Sequence, residues 1–293
     1  MENFQYYLEE NLYQLFVDIN SGKYRHGGYA KFIINENKRR EISVANIRDR
    51  IVHRLLYSYL TEIYDKTFIF DVWSCRRSKG LIGAIERTQK FLGQYPRSFV
   101  WRSDIKKFFD NVDHKTILKI ATLKISDQIV ISLLTEVINS YQTGEDAALK
   151  GVPIGNLTSQ IFANIYLNEL DRFVKHDIKP QAYLRYGDDF IIIEKNKNDL
   201  LSYKKITTEF IAEKLKLEIN HRNDILIKAR QGLHFLGVEI FPKGRRLNKR
   251  NWRRTIKNIK TRNIASYKGL VNKHSKEKKR RYFDWIIEDY YNE

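Results

Sequence analysis

The chain has little cysteine, little proline and no long apolar run. One thiol in 293 residues, Cys75, excludes a disulfide framework and any zinc site built from cysteines. No stretch is apolar for long enough to make a signal peptide or a membrane span, so a soluble, cytoplasmic protein is expected, with no membrane partner. Four prolines and 14 scattered glycines mark no linker, and no internal repeat or low-complexity segment interrupts the chain. Disorder is excluded too, because hydrophobic residues make up 42% and aromatics 13% of the sequence. The length allows one large domain or two small ones.

Negative charge is missing from one region. Between Lys243 and Arg281 stand 17 Lys/Arg and one acid, Glu277, whereas the other 36 basic residues nearly balance 34 acidic ones. Almost all of the formal net charge of +18 therefore lies in that segment. Such a concentration matches a polyphosphate partner, through counterion release. A merely solubilising tail would have no use for Trp252 and Tyr267 within it, or for Tyr282 and Phe283 directly after it.

What is present begins with Tyr186-Gly187-Asp188-Asp189, between the apolar runs Ala182-Tyr183-Leu184 and Phe190-Ile191-Ile192-Ile193. The pattern predicts a β-hairpin whose turn presents two adjacent carboxylates, with Gly187 free to take a positive φ. Neighbouring aspartates repel and lose hydration on folding, so they call for a cation. Hard carboxylate oxygens select Mg²⁺ or Mn²⁺.

Three further segments stand in order around this hairpin. Phe99-Val100-Trp101-Arg102-Ser103-Asp104 reads as a strand ending at an aspartate, followed by the aromatic pair Phe108-Phe109. Gly151-Val152-Pro153-Ile154-Gly155-Asn156-Leu157-Thr158-Ser159-Gln160 is a turn-rich opening to a helix running to about Asp177, with Ile161, Phe162, Ile165, Leu170, Phe173 and Val174 as its apolar stripe. Phe235-Leu236-Gly237-Val238-Glu239-Ile240 closes the series. This order and spacing, over about residues 20–245, resembles the palm of reverse transcriptases.

The resemblance implies an α/β (α+β) right-hand polymerase fold. Residues 1–98 would give fingers, 99–240 a palm with an inserted fingers segment near 114–150, and 241–293 a short basic helical thumb. It implies an RNA-directed DNA polymerase in which Asp104, Asp188, Asp189 and the carbonyl of Ile105 hold two Mg²⁺ per site. The ions would activate the primer 3′-hydroxyl and neutralise the leaving pyrophosphate. Arg40, nine residues before Asp49-Arg50, matches the position that holds the nucleotide triphosphate, a task suited to a planar guanidinium. Phe109 matches the aromatic gate that excludes a ribose hydroxyl, while Ile154, Gly155 and Gln160 would meet the new base pair. Phe235, Leu236 and Gly237 resemble the primer grip. Asn220-His221-Arg222-Asn223-Asp224 lacks the lysine usual between hairpin and grip, so the group that protonates pyrophosphate stays open.

Other local expectations follow from pattern. Phe4, Tyr7, Leu8, Leu12, Leu15 and Phe16 predict an amphipathic first helix over 2–19. Phe32-Ile33-Ile34 and Ile42-Ser43-Val44 read as a hairpin turning around Asn35-Glu36-Asn37, and 47–64 as a helix with Ile51, Leu55, Leu56, Tyr59 and Leu60 on one face. Cys75, within a Cys-Arg-x-x-Lys-Gly string shared with some bacterial reverse transcriptases, is expected in the core. Asp110 and Asp113 read as caps for a helix starting near His114. In the basic segment, 252–267 has helical propensity, and Lys249, Arg250, Arg253, Arg254, Lys257, Lys260, Lys276, Lys278, Lys279 and Arg280 would track nucleic-acid phosphates.

Group II intron enzymes carry Gln-Gly-x-x-x-Ser-Pro where this chain has Ile154-Gly155-x-x-x-Ser159-Gln160. That variant resembles diversity-generating retroelement reverse transcriptases, which are error-prone at template adenines and work with a small basic accessory protein and a structured RNA. Only 56 residues follow Gly237, too few for an RNase H, endonuclease or integrase module, which weighs against an intron enzyme. A defence-associated enzyme, and a nucleic-acid-binding scaffold with a degenerate palm, are the rival readings. A prokaryotic or phage origin is expected.

Overall fold

The computed structural model describes residues 2–35, 39–143 and 149–292. Two short helices, α1 (Glu2–Tyr6) and α2 (Leu8–Asn20), lead into the hairpin of β1 (Tyr29–Asn35) and β2 (Arg39–Ala45). Helices α3 (Ile47–Tyr64) and α4 (Leu81–Gln94) follow, then β3 (Phe99–Asp104), α5 (Phe108–Asn111), α6 (His114–Thr122), α7 (Gln128–Asn139) and α8 (Leu157–Arg172). Strands β4 (Ala182–Tyr186) and β5 (Asp189–Glu194) precede α9 (Lys197–Leu215) and β6 (Ile225–Lys228). A hairpin pair, β7 (Leu233–Phe235), β8 (Val238–Phe241) and β9 (Gly244–Leu247), leads to α10 (Lys249–Lys257), α11 (Ile264–His274) and α12 (Glu277–Asn292).

The central sheet is antiparallel with strand order β4-β5-β3-β6, as a palm requires. Both its faces are buried, and the two-residue strand period divides the core. Phe190 and Ile192 face α8, α3, α6 and α9, with Trp101 and Tyr183. Ile191 and Ile193 face the other way, with Val100 and Leu184, onto α4, β7, β8 and the helices α11 and α12. Burying each such side chain contributes about 1.5–3 kcal/mol. The basic C-terminal helices therefore dock through Val271, Phe283 and Ile287 into the same core as the sheet.

Several local expectations are corrected. The first helix breaks at Tyr7, and of its apolar stripe only Leu15 is buried; Leu8, Leu12 and Phe16 remain exposed. In α3 the core face is Val52, Leu56, Leu60 and Tyr64, whereas Leu55 and Tyr59 face outward, because α8 packs a neighbouring stripe of the helix. Helix α8 is buried all round rather than along one stripe, being enclosed by α3, α6 and α9, and ends in a π-turn over Phe173–Ile178. Cys75 is exposed, at a left-handed φ of 54°, not in the core. The helix expected over 252–267 is interrupted after Lys257 and resumes at Ile264. Glu36 and Asn37 of the first hairpin's turn lie outside the described residues. Asp113 caps α6 as expected, accepting from the Thr116 amide at 2.9 Å. Among the described residues no helix is long and apolar enough to cross a membrane.

Candidate active site

The turn between β4 and β5 consists of Gly187 and Asp188, since Tyr186 pairs with Asp189 in the ladder. Gly187 has a φ of 65°, and the nearest atom to an added Cβ would be 4.0 Å away. Glycine is needed there for its conformation, not for space. From below, Arg185 holds the turn: Nη1 donates to the Gly187 carbonyl at 2.8 Å, while Nε and Nη2 grip Asp171 at 2.7 and 2.6 Å. This pair is fully buried, and Tyr183 adds a hydroxyl bond to Asp171 at 2.7 Å. Sequence reading assigned no role to Arg185 or Asp171; an arginine in an otherwise apolar strand was the available signal.

Asp104 ends β3 directly opposite Asp189, and the Ile105 amide donates to the Asp188 carbonyl at 3.3 Å. The three aspartates expected to act together are thus brought together. Asn223 donates to Asp104 Oδ2 at 2.8 Å, but Asp104 Oδ1 is buried without a partner among the described residues. Asp188 forms no ion pair among the described residues. Its carboxyl is pushed up to about 6, chiefly by burial, with the charges of Asp104 and Asp189 adding and Arg40 opposing. Asp189 is gripped on both oxygens by Arg102, at 3.0 and 2.7 Å. Burial raises its pKa and the Arg102 bonds oppose that rise.

Among the described residues no three His, Cys, Asp or Glu side chains converge as a ready-made metal cage. Asp104 and Asp188 nevertheless offer what a hard cation needs, namely a buried oxygen that lacks a partner among the described residues beside a half-buried carboxylate. An isolated cluster of this kind is costly unless a cation compensates it.

The expected nucleotide-contacting residues are also assembled, by backbone bonds. Val152 N–H donates to the Phe109 carbonyl at 2.8 Å and Ser43 N–H to the Ile154 carbonyl at 2.9 Å, so the 151–156 loop joins α5 to β2. Asn156 completes the joint, accepting from the Ala45 amide and donating to the Ser43 carbonyl at 3.1 and 2.8 Å. Gly155, at φ 123°, passes so close to β2 that a Cβ would lie 2.8 Å from Ile42. Arg40 is exposed on β2, near enough to Asp188 to lower its pKa. Phe108 is buried and Phe109 only half-buried, the division a gate residue requires. Gln160 is exposed on the first turn of α8.

At the third expected feature, Phe235 is buried, and the two-residue turn Leu236-Gly237 has φ of 50° and 83°. Both values are positive, which suits glycine and strains leucine. Asn251 of α10 donates to the Gly237 carbonyl at 2.9 Å, tying this turn to the basic helices. Of the basic residues, Lys249, Arg250, Arg253, Arg254, Lys257, Lys260, Lys276 and Lys278 are exposed, whereas Lys279 and Arg280 are half-buried. Lys279 lies 4.5 Å from the Trp252 ring, and Arg280 donates to the Ser275 carbonyl at 2.9 Å. Between β8–β9 and the start of α12 lies a cavity of about 450 Å³ lined by six cations, among them Lys243, Arg245 and Arg246, which the sequence reading had not singled out.

An antiparallel sheet bearing an acidic turn, a hairpin-bearing arm bonded to the 151–156 loop and a basic helical end define a right-hand polymerase fold. Residues 29–240 match the model of the family described as reverse transcriptase (RNA-dependent DNA polymerase), and the chain belongs to that family. It is 26% identical over 270 residues to protein YkfC of Escherichia coli K12, covering 79% of this chain and 71% of YkfC. To the group II intron-encoded protein LtrA of Lactococcus lactis it is 24% identical over 300 residues, covering 79% of this chain and 50% of LtrA. Telomerase from Candida albicans, solved with a TWJ fragment of telomeric RNA, shares the fold with a TM-score of 0.57 at 14% identity, over 90% of this chain and 55% of that one. Apo telomerase from Candida tropicalis gives 0.55 at 13%, over 89% and 57%. The chain thus spans about half the length of LtrA and of the telomerase chains.

Proposed function

We propose that this protein makes DNA on an RNA template, joining dNTPs to a primer by divalent-metal-assisted nucleotidyl transfer. The observation that supports it most is Asp104, with one oxygen held by Asn223 and the other buried beside Asp188 without a partner among the described residues. Asp104, Asp188 and the Ile105 carbonyl would hold two Mg²⁺, or Mn²⁺, with Asp189 completing the shell while still bonded to Arg102, since each carboxylate oxygen keeps a second lone pair. When bound, the ions would lower the pKa of the primer 3′-hydroxyl and stabilise charge on the departing pyrophosphate.

The chain's own groups do the positioning. Arg40 would hold the triphosphate from β2, and Asn156 and Ile154 would keep that strand over the site. Phe109 would stand under C2′ of the sugar and exclude a ribose hydroxyl. Gly155 and Gln160 would border the new base pair, and the Phe235–Gly237 turn would steer the primer end. Residues 1–98 would act as fingers, 99–240 as palm with an insertion near 114–150, and 241–293 as a thumb holding phosphates without reading sequence. Extension of a DNA primer on RNA, lost on chelation of divalent ions, tests the reading; no extension with Mg²⁺ or Mn²⁺ would refute it.

Within the family, Ile154 and Gln160 support a diversity-generating retroelement enzyme, with a small basic accessory protein and a structured RNA as partners. Ile154 removes a side-chain amide that could check the geometry of the pair. Sequenced products should then show errors concentrated at template adenines, reduced by Ile154→Gln. Accurate copying without adenine bias would favour the second reading, an intron-type enzyme, which the match to LtrA supports.

A further inference from the structure

Arg102 lies two residues before Asp104 on β3, hence on the same face of the sheet. Its guanidinium makes three bonds in two directions. Nε and Nη2 reach Asp189 Oδ1 and Oδ2 at 3.0 and 2.7 Å, and Nη1 donates to the His234 carbonyl at 2.6 Å. Its Cζ lies 5.7 Å from the ring of Phe235. One planar group therefore ties the acidic turn to the strand that leads into the Leu236-Gly237 turn.

We infer that Arg102 is a positioning residue that sets the primer-grip turn in register with the catalytic carboxylates, an inference that rests on the polymerase reading above. The argument is geometric. β3 and β5 are already joined by a full ladder, and β7 is anchored by Leu233 and Phe235 in the core, so neither element needs Arg102 in order to form. What Arg102 adds is a polar link between them at the edge of the site. Leu236 and Gly237, at φ 50° and 83° and held by Asn251, form a stiff turn, so a shift at His234 is passed on to it. A fork is required: an ammonium is a point charge and cannot hold two carboxylate oxygens and a carbonyl in fixed directions.

The alternative is that Arg102 only balances the charge of Asp189. Lysine would then serve as well as arginine. The test is single-turnover addition of one dNTP to a DNA primer on RNA with Mg²⁺, comparing wild type, Arg102→Lys and Arg102→Gln. Extension by wild type must be seen first; its absence would count against the polymerase reading and not against Arg102 alone. The expected result is a fall in the maximal rate of roughly tenfold or more in both variants, as a misplaced reacting group predicts. Affinities for dNTP and primer–template should stay within about twofold of wild type in both variants, and Arg102→Lys, which keeps the charge beside Asp189, should hold the thermal midpoint close to that of wild type. A wild-type rate for Arg102→Lys would reduce the residue to charge balance and overturn the inference. So would a fall in thermal midpoint and primer affinity in step with the rate, which would make Arg102 a packing residue. If Arg102→Gln does not fold, Arg102→Lys alone decides.

Discussion

Asn223 Nδ2 lies 2.8 Å from Asp104 Oδ2, so this carboxylate enters the site with one oxygen held and the other without a partner among the described residues. Asn220 Nδ2 is a weaker second neighbour of the same oxygen, at 3.4 Å. Both asparagines lie in the segment where the family lysine is missing, and there they aim Asp104. Asn223→Ala should therefore leave the protein folded and raise the Mg²⁺ concentration needed for half-maximal extension by roughly 10-fold or more, as loss of a ligand-orienting bond does elsewhere. An unchanged Mg²⁺ titration would remove that role.

Phe109 offers a cleaner separation of selectivity from catalysis. Because Phe108 fills the core and Phe109 only packs against it, Phe109→Ala should cost less stability than Phe108→Ala while admitting rNTPs. The readout is the ratio of dNTP to rNTP incorporation, expected to fall by at least about tenfold, which is about 1.4 kcal/mol of discrimination. A constant ratio would take the gate away from Phe109.

For the basic end, Lys276 and Lys278 are the informative pair, since Lys279 and Arg280 also support local packing. Lys276→Gln with Lys278→Gln should weaken binding to all duplex sequences alike. The log-log salt dependence should flatten by roughly 1.4 to 1.8 if both touch phosphate. An unaltered slope would place these lysines away from the nucleic acid.

His53 supplies a pH prediction away from the carboxylates. Its ring is buried, with Nδ1 2.6 Å from the Thr158 hydroxyl and Nε2 3.1 Å from His26 Nε2. Burial, then the neighbouring His26, push its pKa down to about 4, with Asp49 opposing. The unfolded chain, with an ordinary histidine, binds the proton first as pH falls. The contribution of neutral His53 is therefore fully present above about pH 6.5 and lost between there and pH 4. From pH 6.5 to 5 wild type should lose roughly 1.5 kcal/mol more than His53→Gln in urea unfolding. Parallel pH curves would show that the site is not sensed this way.

Much of the architecture was legible because it rests on local chemistry. The Gly187 turn, the Asp113 cap and the strand formed by the apolar run Phe190–Ile193 each follow from a few adjacent residues. What escaped was tertiary. Nothing in the spacing of Leu8, Leu12 and Phe16 says that they stay exposed, and nothing in the string Trp101-Arg102-Ser103 says that Arg102 will reach both Asp189 and His234. Arg185 and Asn156 escaped for the same reason: each is a polar residue whose partners lie on other elements.

Asp104 and Asp188 bear the central claim, and one measurement addresses it. Single-nucleotide extension of a DNA primer on an RNA template, with Mg²⁺ and dNTP, should be compared for wild type, Asp104→Ala and Asp188→Asn, with primer–template affinity measured alongside. The account predicts extension by wild type and none above background by either variant, while all three bind primer–template alike. Extension at the wild-type rate by either variant would contradict it.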